Sequence, residues 1–542
     1  MRMICVSFLC LLACSLPATT PVRSPERLCE LAIIPKFDLA YKFGFTFRGG
    51  QVVFDYGEEI EGQVAGAREG LKRQPEDITR WLLLADLLDG AGRTNEADLT
   101  YQQAERLCRQ RLASAPQSGL LLVQLSRALC GLDKLDEAES SCRQAVKVSP
   151  KEWQCWSGLG DVLFARTWRC LAPEINLMSL LSSDGGPVET LMKKPPTAET
   201  LQKAVALNRE AGQCYDQAVA IAPREPEAYL QRASFKMISL LENLFIQYFR
   251  DGSTFDTKKP LSSHLFTKSA VGDLKEAARL SPRNSDIIGL AAGFEWLTAS
   301  IAAAPAKPTL EEISADTRRS ILDAITRLEN LSQDADRKTA AASFRHLGFL
   351  KVMCGALEST SFHAAEPCFR RAVALNPSDE TSWNLLLASV LIGGGSPEEM
   401  KAVCEAHLKA ANTARNHLLL AKALTRQKNW ARANREAGIA FAMETNSVVA
   451  PLMLAALSIR EGEKPARLIQ AALYLRVARE RIQVLPINEE RDQRLAELML
   501  NAALFQALNG KISEARELVD SVLKHDPDNE PARQIKEALP DD

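Results

Sequence analysis

Small and apolar residues recur along this chain at helical spacing, and a proline repeatedly closes the run. Ala138, Cys142 and Ala145 stand four and three residues apart, and Pro150 follows five later. The same steps return as Ala211, Tyr215, Ala218 and Pro223, as Ala270, Leu274, Ala277 and Pro282, and as Ala365, Phe369, Ala372 and Pro377. Near the C-terminus, Ala515, Val519, Val522 and Pro527 keep the spacing with one alanine replaced. Residues three and four apart share one stripe of a helix, so each set predicts an amphipathic helix that its proline ends. A second pattern precedes these helices: a large residue, then a leucine beside a small residue. Trp81, Leu84 and Ala85 form one case, and Leu122, Leu125 and Ser126 another. Trp156, Leu159 and Gly160 repeat it, as do Phe344, Leu347 and Gly348, and Trp383 with Leu386 begins a further one. The small position lets a neighbouring helix approach closely, so the chain predicts helix pairs in series.

This large–Leu–small…Ala…aromatic…Ala…Pro signature resembles the tetratricopeptide repeat (TPR) family, over about residues 58–538 and some nine to ten units. The resemblance implies an all-α solenoid, a right-handed superhelix of helix–turn–helix repeats. Some units are degenerate: residues 285–337 lack a clear first-helix signature, and Pro451 stands where a large residue belongs. The stretch around Ser396, Pro397 and Glu399 reads as a capping box, and residues 528–542 as a short polar-faced helix closing the stack.

With the spacing known, interruptions become measurable. Pro150 and Pro223 are 73 residues apart, far more than one repeat of about 34. The excess falls between the two helices of one repeat, at 167–205, and similar insertions fall at 249–268 and 298–316. All three emerge on one edge of a solenoid. Their apolar content, as in residues 175–181 and 237–249, suggests packing on the stack or on a partner.

Ahead of the repeats the pattern changes. Phe43, Phe45 and Phe47 alternate up to Gly49-Gly50, and Val52, Val53 and Phe54 follow, so residues 19–57 are read as an N-terminal segment with a small β-hairpin. The hairpin either caps the first helix pair or protrudes as a recognition element. Residues 1–18 carry one early arginine, a short apolar run and small residues, the make-up of a secretory signal peptide. Leu11-Leu12-Ala13-Cys14 resembles a bacterial lipobox, with Cys14 as the lipidated residue; ordinary cleavage near Ser15 or Ala18 is the alternative. The expected location is therefore the periplasm or a membrane-anchored lipoprotein, with the cytoplasm as the alternative.

Composition adds limits. The chain has 542 residues, 46% hydrophobic and 25% charged, with a net charge of −2, which gives no overall electrostatic footprint for nucleic acid or anionic lipid. Membrane contact is expected only through an N-terminal lipid. Ten cysteines lie beyond residue 18; buried thiols acting as small hydrophobes are the first reading and disulfides within Cys130–Cys170 the second. Phosphate loops, zinc-protease motifs and nucleophile elbows are missing from the sequence, and six histidines leave little for a catalytic cluster. No catalytic residue, metal site or cofactor is expected, and Cys404 with His407 is read as chance spacing.

The TPR resemblance implies a concave groove lined by the second, fifth, ninth and twelfth positions of each first helix. On matching positions these are Asp86, Asp89, Arg127, Asp161, Phe164, Arg345, Asn384 and Lys422. The carboxylate-clamp pattern of co-chaperone members is not met, because Leu82 and Asp86 stand at the fifth and ninth positions of the first clear repeat. The resulting expectation is a non-catalytic scaffold that binds a partner protein or peptide in that groove, within a cell-envelope assembly. The alternatives are an accessory or regulatory subunit with a small-ligand pocket, and an intracellular TPR scaffold. Oligomeric state is left open.

Overall fold

The structure, a computed structural model, describes residues 25–35, 44–48, 51–55, 60–90, 93–171, 196–251, 268–302, 310–355, 359–462, 464–485 and 489–540. The signal-like run with Cys14, most of the 167–205 insertion and the centres of the other two lie outside them. The described chain is helical apart from one hairpin, in which Gly44–Arg48 (β1) pairs antiparallel with Gln51–Asp55 (β2), Phe45 opposite Phe54. Contacts divide the chain into two compact units, residues 41–393 and residues 1–40 with 394–542.

In the larger unit Ile60–Arg73 precedes a series of helical hairpins, and β2 lies against Pro226–Asp251. The hairpins pair Ile78–Gly90 with Thr94–Ser114, Gly119–Gly131 with Leu135–Val148, and Trp153–Leu171 with Ala198–Ile221. Pro226–Asp251 pairs with Lys268–Leu280, Ser285–Ala302 with Ala315–Leu331, and Arg337–Cys354 with Ser359–Leu375, before Glu380–Ile392. The next described helix after Trp153–Leu171 is thus the one carrying Ala211, Tyr215 and Ala218. Both members are longer than a standard repeat needs, and Leu171 packs on Ala204 in the added turns.

Each sequence signature has a physical task. Gly160 brings its helix so near Ala198–Ile221 that an added Cβ would lie 2.8 Å from the Tyr215 ring, and at Gly348 it would lie 2.5 Å from Phe369. Where the small residue is Ser126, its hydroxyl donates to the Ala138 carbonyl at 2.9 Å, across the helix pair. The terminal proline and the next large aromatic are also coupled. The indole N–H of Trp81 donates to the Pro75 carbonyl at 2.7 Å, Trp156 to Pro150 at 3.0 Å and Trp383 to Pro377 at 2.9 Å. The Tyr229 hydroxyl does the same to Pro223 at 3.3 Å. Those bonds satisfy a carbonyl that the helix end leaves free and set the angle at which the next helix begins. Burial of Phe294, Phe349 and Phe369, each worth about 1.5–3 kcal/mol, then holds the later hairpins.

The smaller unit begins with the short helix Pro25–Glu30, which meets the C-terminal repeats across more than four hundred residues of sequence. It continues from Pro397–Ala410, whose Ser396–Glu399 capping box is present, to the hairpins Ala414–Arg426 with Trp430–Met443, Val449–Arg460 with Pro465–Gln483, and Glu489–Leu508 with Ile512–His525. Pro451 sits in the first turn of its helix, where its missing N–H costs no intrahelical bond. The closing helix Glu530–Ala538 buries Ala532 and Ile535, and Arg533 donates to the Pro527 carbonyl in the place an aromatic takes elsewhere. Among the described residues all ten cysteines are free thiols; Cys108, Cys155, Cys214 and Cys404 are buried, and burial pushes their thiols up to about 12. No described helix is long and apolar enough to cross a membrane.

The glycines separate packing from propensity. Gly348→Val is expected to destabilise the larger unit by about 1–3 kcal/mol through the clash with Phe369. Gly272→Ala, with open space around the new methyl, should stabilise it by about 0.5–1 kcal/mol. Urea midpoints of the two variants moving in the same direction would contradict this packing.

Candidate functional site

First helices of successive hairpins line one face of a stack, so the face is built from their equivalent positions. In the larger unit Asp86, Arg127 and Asp161 hold the same position in three consecutive first helices. They meet one another. The Arg127 guanidinium bonds the Asp86 carboxylate and lies in the field of Asp161. The Tyr101 hydroxyl donates to Asp86 Oδ1 at 2.7 Å, and the Tyr215 hydroxyl bonds Asp161. The result is a polar line running Tyr101–Asp86–Arg127–Asp161–Tyr215. Adjacent helices lie about 8–10 Å apart, a gap that a long arginine side chain can bridge.

Burial shifts the groups in this line. It pushes the Asp161 carboxyl up to about 6, against the opposing pull of the Tyr215 bond and the Arg127 charge. Asp89, one turn further along its helix, is also raised, by burial and then by the charges of Asp86 and Asp98. Burial works against the Arg127 charge, but the Asp86 carboxylate more than compensates and holds it above the usual arginine value.

The remaining expected groove residues have varied surroundings. Phe164 meets Phe235 edge-on, with ring centroids 6.0 Å apart, and Phe235 stacks on Tyr215 at 4.8 Å. Arg345 bonds Asp379 at 2.7 Å and Asp286 on another first helix, and Asp286 also meets His346 Nε2 at 2.8 Å. Asn384 is buried, because Glu380–Ile392 is covered along nearly its whole length. Lys422 is half-buried on Ala414–Arg426 in the smaller unit. Thus Asp86, Arg127 and Asp161 come together, Arg345 joins a separate brace, and Asn384 is core. Among the described residues, the exposed large apolar side chains on first helices are Leu83 and Leu120, 45% and 47% exposed. Thr79 and Gln124 on the same two helices bond each other at 3.1 Å.

In the smaller unit the corresponding face is occupied. Pro25–Glu30 packs on Val449–Arg460, Glu489–Leu508 and Glu530–Ala538. Leu28 and Ala32 are buried in one apolar cluster with Leu452, Ala456 and Leu498. The Asn501 side-chain amide holds Ile33 at both backbone groups: Ile33 N–H donates to Oδ1 at 3.0 Å, and Nδ2 donates to the Ile33 carbonyl at 2.9 Å. Arg460, stacked over the Trp430 ring at 4.2 Å, donates to the Glu30 carbonyl at 2.8 Å. The residues missed by repeat spacing are Leu83, Leu120, Arg460 and Asn501. Asn501 did leave a trace: it is the lone polar residue in the apolar run Leu498–Phe505.

A cleft of about 920 Å³ lies between Lys268–Leu280, Ser285–Ala302 and Ala315–Leu331. Its floor is Val271, Ile288 and Ala292, and its rim charges pair locally, Lys275 with Glu295 at 3.0 Å and Arg279 with Glu276 at 2.6 Å. Among the described residues no group of three or more His, Cys, Asp or Glu is placed to hold a metal ion. The Cys404 thiol instead faces the Leu419 carbonyl at 3.7 Å.

No protein-family model matches the chain, and no curated protein matches it. Solved structures with a similar fold include yeast Tom70, at 14% identity over 83% of this chain and 94% of that one, TM-score 0.33. YrrB, described as a TPR protein with an unusual peptide-binding site, is 18% identical over 40% of this chain and 98% of its own, TM-score 0.28. Human IFIT1 is 14% identical over 94% of this chain and 98% of its own, TM-score 0.30. Likeness at this level carries no weight for function, which rests on the chain's own geometry.

Asp161 makes stability depend on pH. Its ordinary value is 3.8 and the fold raises it to about 6, so between these limits the folded chain binds more protons than the unfolded one. Its contribution to stability is full below the lower value and is lost as pH rises through about 6. Urea midpoints measured from pH 4 to 7 should carry this falling component, and Asp161→Asn should remove it. Parallel curves for the two proteins would exclude the assignment.

Proposed function

We propose that this protein is a non-catalytic interaction scaffold that binds a segment of a partner protein on the first-helix faces of its repeats. The observation that carries this reading is the occupied face of the smaller unit. There the chain's own residues 25–34 lie across two first helices and the closing helix, held through their backbone by Asn501 and Arg460 and through Leu28 and Ala32 by apolar packing. A face that holds one segment in this way, a short helix followed by extended chain, has the means to hold another. In the larger unit the acidic and basic groups on this face are largely satisfied by one another. Exposed aliphatic surface is offered at Leu83 and Leu120. A partner suited to it is an aliphatic stretch and not a strongly charged tail.

The setting we propose is a cell-envelope assembly. The one-arginine, apolar, small-residue run at the N-terminus supports export, and Leu11–Cys14 supports a lipid anchor at Cys14. Neither catalytic machinery nor a cofactor enters this reading.

Photo-crosslinking tests the face directly. Benzoylphenylalanine placed at position 83 or 120 should give a discrete adduct with a partner in cells producing the chain. The same probe at position 99, 66% exposed on a second helix, should give several-fold less. Equal yields at the three positions, or no adduct at 83 and 120, would overturn the reading.

A further inference from the structure

We propose that the first-helix face of the smaller unit is an exchangeable docking groove, closed in this structure by the chain's own residues 25–34. Its external partner is a segment of the same chemistry: a helical turn with buried aliphatic side chains, followed by an extended aliphatic stretch. This rests on the scaffold reading above and names the recognition chemistry at one of its faces.

The contacts separate into a general part and a selective part. Three hydrogen bonds between the groove and the segment go to its main chain, at the N–H and carbonyl of Ile33 and the carbonyl of Glu30. Such bonds are indifferent to side-chain identity, so another segment in the same conformation satisfies them equally. An amide that donates and accepts at a single residue also fixes chain direction and an extended conformation there. The Arg460 bond meets a carbonyl that the end of the short helix leaves without an intrahelical partner. Selectivity comes from the places taken by Leu28 and Ala32, which demand an aliphatic residue and a small one four positions later.

The segment is also poorly equipped to stay folded when undocked. A six-residue helix is too short to persist in water, so leaving the groove converts residues 25–34 into a flexible tail. On the helix that carries Asn501, Arg494 and Glu497 precede it at helical spacing, and Arg494 pairs with Glu497 at 3.0 Å. A polar row of this kind tolerates water when the groove opens, unlike a purely apolar floor. As an occupant belonging to the same chain the segment competes intramolecularly, so it masks the groove against weaker partners and yields to stronger ones.

The probe is a fluorescein-labelled peptide of residues 24–36, titrated under reducing conditions and followed by anisotropy. Three full-length proteins are compared: the natural chain, Leu28→Asp/Ala32→Asp, and that double variant with Asn501→Ala added. The double variant should bind the peptide at least ten-fold tighter than the natural chain, and adding Asn501→Ala should cost at least ten-fold. Equal affinities for the first two proteins would overturn exchange. Loss of the C-terminal repeats' helicity in the double variant would also overturn it, by making the segment an integral part of the core. Hydrogen exchange on the natural chain gives a second reading: amides of residues 28–34 should exchange faster than those of Glu489–Leu508. Exchange of both only together would overturn the proposal. Because the probe is the chain's own sequence, a negative result here is separable from failure to find an external partner at Leu83 or Leu120.

Discussion

The constraint on which this structure depends is the close approach of two helices at a residue too small to keep them apart. Gly160 against Tyr215 and Gly348 against Phe369 show it most sharply, since a single methyl at either glycine would enter the ring. Ser126 expresses the same approach in polar form, with its hydroxyl reaching the backbone carbonyl of the facing helix. A glycine or serine inside a helix is costly for the helix alone, by up to about 1 kcal/mol for glycine. At the two glycines that cost is offset by an aromatic ring from the neighbouring helix that fills the space. No hairpin can therefore be stable apart from its packing, and each must hand its remaining apolar surface to the next. The Trp-to-Pro bonds of Trp81, Trp156 and Trp383, each at the start of a repeat, fix how that surface is handed on.

Arginine is the second organising element. Arg232 forks onto the buried Asp273, at 2.6 and 2.9 Å, while reaching Asp216 at 3.0 Å, and so joins three helices. Arg345 spans Asp286 and Asp379, and Arg127 stands between Asp86 and Asp161. Exposed ion pairs contribute little, about 0–1 kcal/mol, but a half-buried planar guanidinium with two acids is held far better. These braces lie on first helices, where partner-reading groups were to be expected. Much of the face's charge is thereby spent on holding repeats together, and its free character becomes aliphatic.

The helix pairs were legible because spacing is a local property. Steps of four, three and five residues identified Ala198–Ile221 as the partner of Trp153–Leu171 despite the long interval between them. Spacing also put Asp86, Arg127 and Asp161 on one face. It did not say that they satisfy one another, because pairing depends on the distance between repeats. Opposite charges at one position in consecutive repeats were the available hint. Arg345 and Asn384 illustrate the same gap, since position within a repeat does not report what a neighbouring helix covers. The docked segment was beyond any periodic reading: Ile33 and Asn501 stand 468 residues apart, and nothing in the pattern of residues 25–34 resembles a repeat.

That last contact explains why an isolated asparagine stands in an otherwise apolar helix. Asn501 is fully buried, and a buried side-chain amide is expensive unless its oxygen and nitrogen both find partners. Its own helix supplies one acceptor, the Glu497 carbonyl at 3.1 Å, but an intact helix leaves no backbone N–H for the amide oxygen. In this structure the missing donor comes from a main chain laid across the face, the Ile33 N–H, and the Ile33 carbonyl is a second acceptor. An apolar residue at position 501 would pack as well against Leu28 and Ala32 while requiring nothing of the segment's backbone. The amide therefore makes sense as a reader of extended chain, and the segment's aliphatic side chains as the selective part of what is read.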